Sequence, residues 1–110
     1  MLDGEVEPAL TRSEAEERLL ALVRAAGLPP TETNSRVGHH EVDFLWRAAR
    51  LVVEVDGYAF HASRASFERD RLRDAELQAV GLRVMRVTWR QIVDEPLALV
   101  SRLAQALVAA

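Results

Sequence analysis

Apolar residues recur at Leu19, Leu20, Leu22, Val23 and Ala26, the spacing of one helical face, and predict a helix over 13–26. Ser13 with Glu16 three residues on fits a capping box that would open it. Gly27 and Pro29-Pro30 would end it. Glu16 lies three, four and seven residues before Leu19, Leu20 and Val23. It therefore either serves the cap alone or also points along the apolar stripe, toward the protein. Residues 31–40 are polar and turn-rich, with a short strand starting near Arg36. Glu-Val-Asp-Phe-Leu-Trp (41–46) and Leu-Val-Val-Glu-Val-Asp (51–56) read as strands, and the four-residue link Arg47-Ala48-Ala49-Arg50 suits a hairpin.

The second half alternates helix and strand. Residues 63–80 read as a helix, with Ser63 as its cap and Gly81 as its C′ residue. Leu-Arg-Val-Met-Arg-Val (82–87) reads as a buried strand. Thr88 and Gln91 repeat the capping-box pattern and open a short helix through Val93. Pro96 suits the first turn of a last helix carrying Leu97, Val100, Leu103, Ala104, Leu107 and Val108. The class is α/β: a small mixed sheet flanked by helices.

Composition narrows the chemistry. A chain of 110 residues suits one domain, with residues 1–10 as a flexible lead-in and 11–110 as the folded unit. With no cysteine, disulfides, thiolate zinc sites and cysteine nucleophiles are excluded. No apolar run approaches the roughly 20 residues that span a bilayer, so no membrane is expected. The first residues lack a secretory h-region, and cytoplasm is the expected location. The net charge of −3 argues mildly against a nucleic-acid partner. All fourteen basic residues are arginine, which removes lysine as a catalytic group.

The hairpin yields the sharpest inference. With a symmetric four-residue loop, Trp46 pairs with Leu51, Leu45 with Val52 and Asp43 with Glu54. Side chains alternate faces along a strand, so Asp43, Glu54 and Asp56 would share one face. Opposed residues have Cβ atoms about 5 Å apart. Three carboxylates would thus converge within reach of one or two divalent cations. Folding alone would prefer valine or threonine in such a strand, because burying like charges is unfavourable without a counterion. Oxygen donors suit Mg²⁺ or Mn²⁺ rather than zinc. In the plainer reading, Glu54 pairs with an arginine at the strand end and Asp56-Gly57 is a turn dipeptide.

Several stretches carry a family resemblance. They are Ser13-Glu14-Ala15-Glu16, Val42-Asp43-Phe44, and Arg50 through Gly57 with its Glu-Val-Asp-Gly core. His61, Arg69 through Asp74, and Gly81 through Thr88 complete the set. Across about residues 11–109 the chain resembles endonuclease-like domains related to very-short-patch-repair (Vsr) endonucleases, within the PD-(D/E)xK superfamily. The resemblance implies a restriction-endonuclease-like fold and metal-dependent hydrolysis of DNA phosphodiesters, in DNA repair or phage defence. Asp43 would be the core metal ligand, and Glu54 the first acid of the E-x-K element. Asp56 stands where the superfamily usually has lysine, which leaves the general base and the transition-state cation open. Glu16 would match a helix glutamate that orients the metal or its water. The resemblance also implies that the chain is the C-terminal nuclease part of a longer protein, with a DNA-binding or antitoxin-like front half.

The catalytic set expected is therefore Asp43, Glu54, Asp56, Glu16 and His61, with Asp43, Glu54 and Asp56 on the metal. His61, five residues after Asp56, has an ordinary pKa near 6.5 and could act as general base or acid, or simply sit in solvent. His39 and His40 read as surface residues. Asp70 would hold His61 or an arginine, or pair along its own helix. Arg86 alternates with Val84 in a buried strand and would either pair with the site acids or snorkel outward. Arg64, Arg69, Arg71 and Arg73, with Arg86, are the expected phosphate contacts, against the plain reading of a solvated helix face. Tyr58, Phe60 and Trp89 would pack or stack on bases. The function expected is a metal-dependent DNA endonuclease, possessing a second copy if both strands are cut. The alternatives are a catalytically silent nucleic-acid or protein-binding module of the same fold, or a phosphohydrolase of small esters.

Overall fold

The computed structural model describes residues 11–56 and 63–109. Element order is α1 (Arg12–Ala25), β1 (Glu32–Val37), β2 (His40–Trp46), β3 (Leu51–Asp56), α2 (Arg64–Ala79), β4 (Arg83–Thr88), α3 (Trp89–Asp94) and α4 (Pro96–Val108). The strands form one mixed sheet in the order β1-β2-β3-β4. The first two pairings are antiparallel and β3–β4 is parallel. Helix α2 makes the crossover that a parallel pair requires.

Two apolar layers hold the sheet. On one face Leu51, Val53, Val55 and Val87 pack with Leu19 and Val23 of α1, Ile92 of α3, and Leu99 and Leu103 of α4. On the other, Val52 joins Leu77 of α2, with Val84 and Leu82 at its margin. Strand β3 is thus buried from both sides, which explains its near-continuous apolar run. In α2, Ser66, Asp70, Arg73, Asp74 and Leu77 are the less exposed positions among largely exposed neighbours. This helix therefore meets the sheet through a mostly ionic stripe ending in one buried leucine.

Several boundaries differ from expectation for identifiable reasons. Helix α1 starts one residue earlier than 13, because Thr11, not Ser13, is its cap. The Thr11 hydroxyl accepts from Glu14 N–H at 3.1 Å, and Glu14 Oε1 accepts from Thr11 N–H at 2.8 Å. Two overlapping S/T-x-x-E patterns compete here, and the first wins. Glu16 is thereby released from any capping duty. Strand β1 begins at Glu32 rather than near Arg36, its polar composition reflecting an exposed edge. The caps at Ser63 and Thr88 and the proline at the start of α4 stand as read.

The hairpin register is the symmetric one: Trp46 pairs with Leu51 and Leu45 with Val52. The ladder extends to Phe44 and Val53 and no further. The expected backbone pair Asp43–Glu54 is absent. Val55 N–H instead donates to the Asp43 carboxylate at 2.8 Å. Opposite Asp43 on the other side, Asn34 adopts φ +51, and the β1–β2 pairing skips it. Strict alternation breaks here too, since Val42 and Leu45 join the α2-side cluster while Phe44 joins the other. Irregularities of this kind re-aim side chains and concentrate beside functional sites. The β2–β3 ladder thus stops at Asp43, and this gap in the pairing is the notch of the acidic site.

Helix α2 ends in a left-handed turn at Gly81, φ +91, where an added Cβ would meet Arg50 Nη1 at 3.1 Å. Gly81→Ala should cost about 1–2 kcal/mol, chiefly from the positive φ, because the arginine tip can yield. Urea denaturation checks this; an unchanged midpoint would mean the turn relaxes freely.

Candidate active site

The notch at the end of β2 and β3 collects acids from four elements. Asp43 and Glu54 are 5% and 3% exposed, the two buried charged residues among those described. Their burial follows from sequence position: each interrupts an apolar strand that the core pulls inward. Asp56 ends β3 and is half-buried. Glu16 approaches from α1, one helical turn after Arg12, and is 22% exposed.

Three arginines offset part of this charge. Arg12, at the first turn of α1, places Nη2 at 2.8 and 3.0 Å from the two oxygens of Asp43. The same atom lies 3.9 Å from Glu54 Oε1, and Arg12 Nε lies 3.3 Å from Glu16 Oε2. Arg73 of α2 donates from Nη2 to Glu54 Oε2 at 3.1 Å and also to the Glu41 carbonyl. Arg86 of β4 donates to Asp74 at 3.0 Å and lies 3.6 Å from Asp56 and 3.9 Å from Asp70. Glu54 is thus held from both layers, by Arg12 from α1 and Arg73 from α2.

The balance remains acidic. Among the described residues, Glu16, Asp43, Glu54, Asp56, Asp70 and Asp74 face Arg12, Arg73 and Arg86, six acids to three arginines. Glu54's carboxyl pKa is raised, first by burial and then by Asp43, against the pull of Arg73. Asp56 is raised mainly by burial, with Arg86 opposing. Glu16 is pushed up to about 7, again chiefly by burial and then by Asp43, with Arg12 opposing. A site in which acids resist ionisation despite arginine neighbours has room for more positive charge. Its donors are oxygens, the set that hard divalent cations prefer. The oxygens of Asp43, Glu54 and Asp56 are not gathered as tightly as the His39–His40–Glu76 group, whose donor atoms lie within 4.8 Å of one another. Arg12 stands between Asp43 and Glu54.

Asp43, Glu54, Asp56 and Glu16 therefore come together around one notch. His61, like Tyr58 and Phe60, lies outside the described residues. Arg73 and Arg86 are engaged with site carboxylates, which sets them apart from Arg64, Arg69 and Arg71 on the exposed side of α2. Arg71 lies over the Phe67 ring at 4.8 Å. Asp70 turns inward toward Arg86, as one of its two readings had it. Trp89 packs at the margin of the core, with Arg90 over its face at 5.0 Å. Arg12 was missed. Its signal was the i,i+4 step to Glu16, hidden by placing the helix start at Ser13.

Comparison with known proteins fixes the family. Residues 16–107 match the restriction-endonuclease-like family REase_MTES_1575. The chain belongs to that family. An uncharacterised protein of Mycobacterium tuberculosis strain CDC 1551 is 33% identical over 108 residues, covering 94% of this chain and 38% of the relative. Its counterpart in strain H37Rv gives the same figures. An uncharacterised Haemophilus influenzae protein is 37% identical over 62 residues, covering 56% of this chain and 50% of that protein. The chain thus spans well under half the length of its mycobacterial relatives. The catalytic domain of the homing endonuclease I-Bth0305I superposes with a TM-score of 0.66 at 20% identity, covering 86% of this chain and 93% of that one. This agreement establishes the restriction-endonuclease-like fold. No described helix is long and apolar enough to cross a membrane.

The raised carboxyl of Glu16 makes stability depend on pH. A carboxyl whose pKa rises on folding favours the folded state in its protonated form. That contribution is complete below the unfolded value of 4.5 and is lost as pH climbs through about 7. Glu16→Gln should therefore stabilise the chain at pH 8 by on the order of 1 kcal/mol, after discounting for partial exposure. At pH 4 the gain should largely vanish. Urea denaturation at both pH values reads the difference; destabilisation at pH 8 would mean that the Arg12 pair outweighs repulsion from Asp43.

Proposed function

We propose that this chain is a metal-dependent DNA endonuclease domain that hydrolyses phosphodiester bonds at the notch between β2 and β3. The observation carrying this reading is the buried pair Asp43 and Glu54, brought together where the β2–β3 ladder stops. Family membership and fold support it from outside the site. Asp43 and Glu54 would hold Mg²⁺ or Mn²⁺, with Asp56 completing the set. The ion supplies Lewis acidity toward the phosphate and lowers the pKa of water.

The protein's own groups do the rest. Glu16, with a carboxyl near neutrality and adjacent to Asp43, can accept a proton from attacking water and release it near pH 7. Arg12 replaces the lysine that the E-x-K element lacks, bringing fixed positive charge to the same oxygens from a helix instead of the strand. With Asp43 engaged by an ion, Arg12 would be left to face the phosphate. Arg64, Arg69 and Arg71 offer exposed charge for the DNA backbone. His61 remains a candidate acid for the leaving group.

The wider setting is proposed on the same footing. Residues 11–110 would form a Vsr-like nuclease unit at the C-terminus of a longer cytoplasmic protein, joined to an N-terminal DNA-binding part and serving repair or phage defence. A homodimer would cut both strands, and a monomer would nick.

Cleavage of supercoiled plasmid in Mg²⁺ or Mn²⁺ tests the central claim. Asp43→Asn should reduce the rate by roughly 10²–10³-fold, the scale of losing one transition-state stabiliser. Absence of cutting together with absence of Mn²⁺ binding would favour the silent binding module. Cutting of a nucleotide ester but not of plasmid would favour the phosphohydrolase. A second variant separates the roles of Arg12. Arg12→Met should tighten Mn²⁺ binding by up to about tenfold, because a competing cation is gone. It should at the same time slow cleavage. Faster cleavage would show that Arg12 only blocks the site.

A further inference from the structure

Outside the acidic notch, a second group of ligand-type side chains converges. The donor atoms of His39, His40 and Glu76 all lie within 4.8 Å of one another. His40 Nε2 is 2.6 Å from Glu76 Oε1, and His39 Nε2 is 3.7 Å from the same oxygen. Both imidazoles come from one tight turn. Gly38 and His39 join β1 to β2, and Val37 pairs directly with His40. Gly38 has φ +62, the value required at the first loop position of a type II′ hairpin turn. The turn is therefore built to a fixed shape, and Glu76 meets it from α2. His40 is 17% exposed and His39 82%, so the group is anchored on one side and open to water on the other.

We propose that His39, His40 and Glu76 form a binding site for a transition-metal dication, zinc by its chemistry, separate from the oxygen-lined notch. Two imidazole nitrogens and one carboxylate are the donor set of zinc sites that keep a fourth position open. The same set is a poor match for magnesium, which favours oxygen. In a tetrahedral site with bonds of about 2.0–2.2 Å, ligand atoms stand roughly 3.3–3.6 Å apart. The His39–Glu76 separation is already close to that, and the His40–Glu76 contact needs to open by less than about 1 Å. A hydrogen bond explains why His40 faces Glu76. It does not explain why the exposed ring of His39 turns to the same oxygen, with ring centroids only 4.3 Å apart.

The position gives the site a consequence. Glu76 lies three residues after Arg73, which holds both Glu54 and the carbonyl of Glu41. Glu41 directly follows His40. A bound ion ties the β1–β2 turn to α2 on either side of that arginine and so braces one wall of the notch. The proposal does not require the notch to cut DNA.

Cobalt(II) serves as the probe, titrated into the whole chain without magnesium and followed by visible absorption. One Co²⁺ per chain should show the intense bands of four- or five-coordination, distinct from the weak bands of any six-coordinate Co²⁺ in the oxygen-lined notch, and be displaced by Zn²⁺. His39→Ala and Glu76→Gln should each weaken binding by at least ~10-fold. His39 is exposed, so its variant should melt like the wild type without metal. Asp43→Asn and His61→Ala should leave Co²⁺ affinity unchanged. The proposal is overturned by no binding, by binding indifferent to His39 and Glu76, or by binding lost in Asp43→Asn or His61→Ala.

Discussion

Two carboxylates buried side by side, Asp43 and Glu54, are the constraint around which the rest of the notch is arranged. Burying one ionised carboxylate costs several kcal/mol, and placing a second beside it adds repulsion. The fold offsets this with arginines from two helices, Arg12 of α1 on both acids and Arg73 of α2 on Glu54, while Arg86 of β4 serves Asp56, Asp70 and Asp74 beside them. Helix α2 depends on this most. Of its inward positions only Leu77 is a buried apolar residue; Asp70, Arg73 and Asp74 make charged contacts. A helix of that composition has little reason to dock on the sheet unless Glu54 and Arg86 are there to receive it.

The same arrangement accounts for the break in the sheet. Were β2 to continue its ladder past Phe44, Val55 N–H would be lost to a backbone carbonyl. Asp43 takes that N–H with its own carboxylate, so the strand departs with no buried donor left unpaired. One side chain thus satisfies the backbone, binds Arg12 and faces Glu54. It ends the pairing and opens the notch in a single step. The paired departure of Asn34 into positive φ lets β1 follow β2 through the bend.

Most of the fold was legible in the sequence because its elements are punctuated. The Ser63 and Thr88 caps, Gly81 and Pro96 each carry a local mechanism, and the four-residue hairpin fixes the β2–β3 register. The acids were legible because they break an apolar strand where folding alone gains nothing from them. Less legible was anything decided by competition or by distance along the chain. Thr11 and Ser13 both begin capping patterns, and only the packed helix selects between them. That shift by two residues concealed Arg12, whose partner Asp43 is thirty-one positions away. Strand β1 carries no apolar alternation because it is an edge, so its start could not be read from period.

The register inference also shows how a correct grouping can rest on an incomplete reason. Alternation placed Asp43 and Glu54 on one face as a cross-strand pair. In the structure that backbone pair is absent, and the alternation breaks at Val42, which joins the side of Leu45. A regular strand would have directed Asp43 by its pleat alone; the irregular one lets its carboxylate reach across to Val55 and toward α1. The acids are consequently shared between the two helical layers, Arg12 from one and Arg73 from the other. A cation held there, as proposed, would displace charge from both layers at once. Occupancy of the notch would thereby be coupled to how firmly α1 and α2 are held, since the arginines on the acids also tie those helices to the sheet.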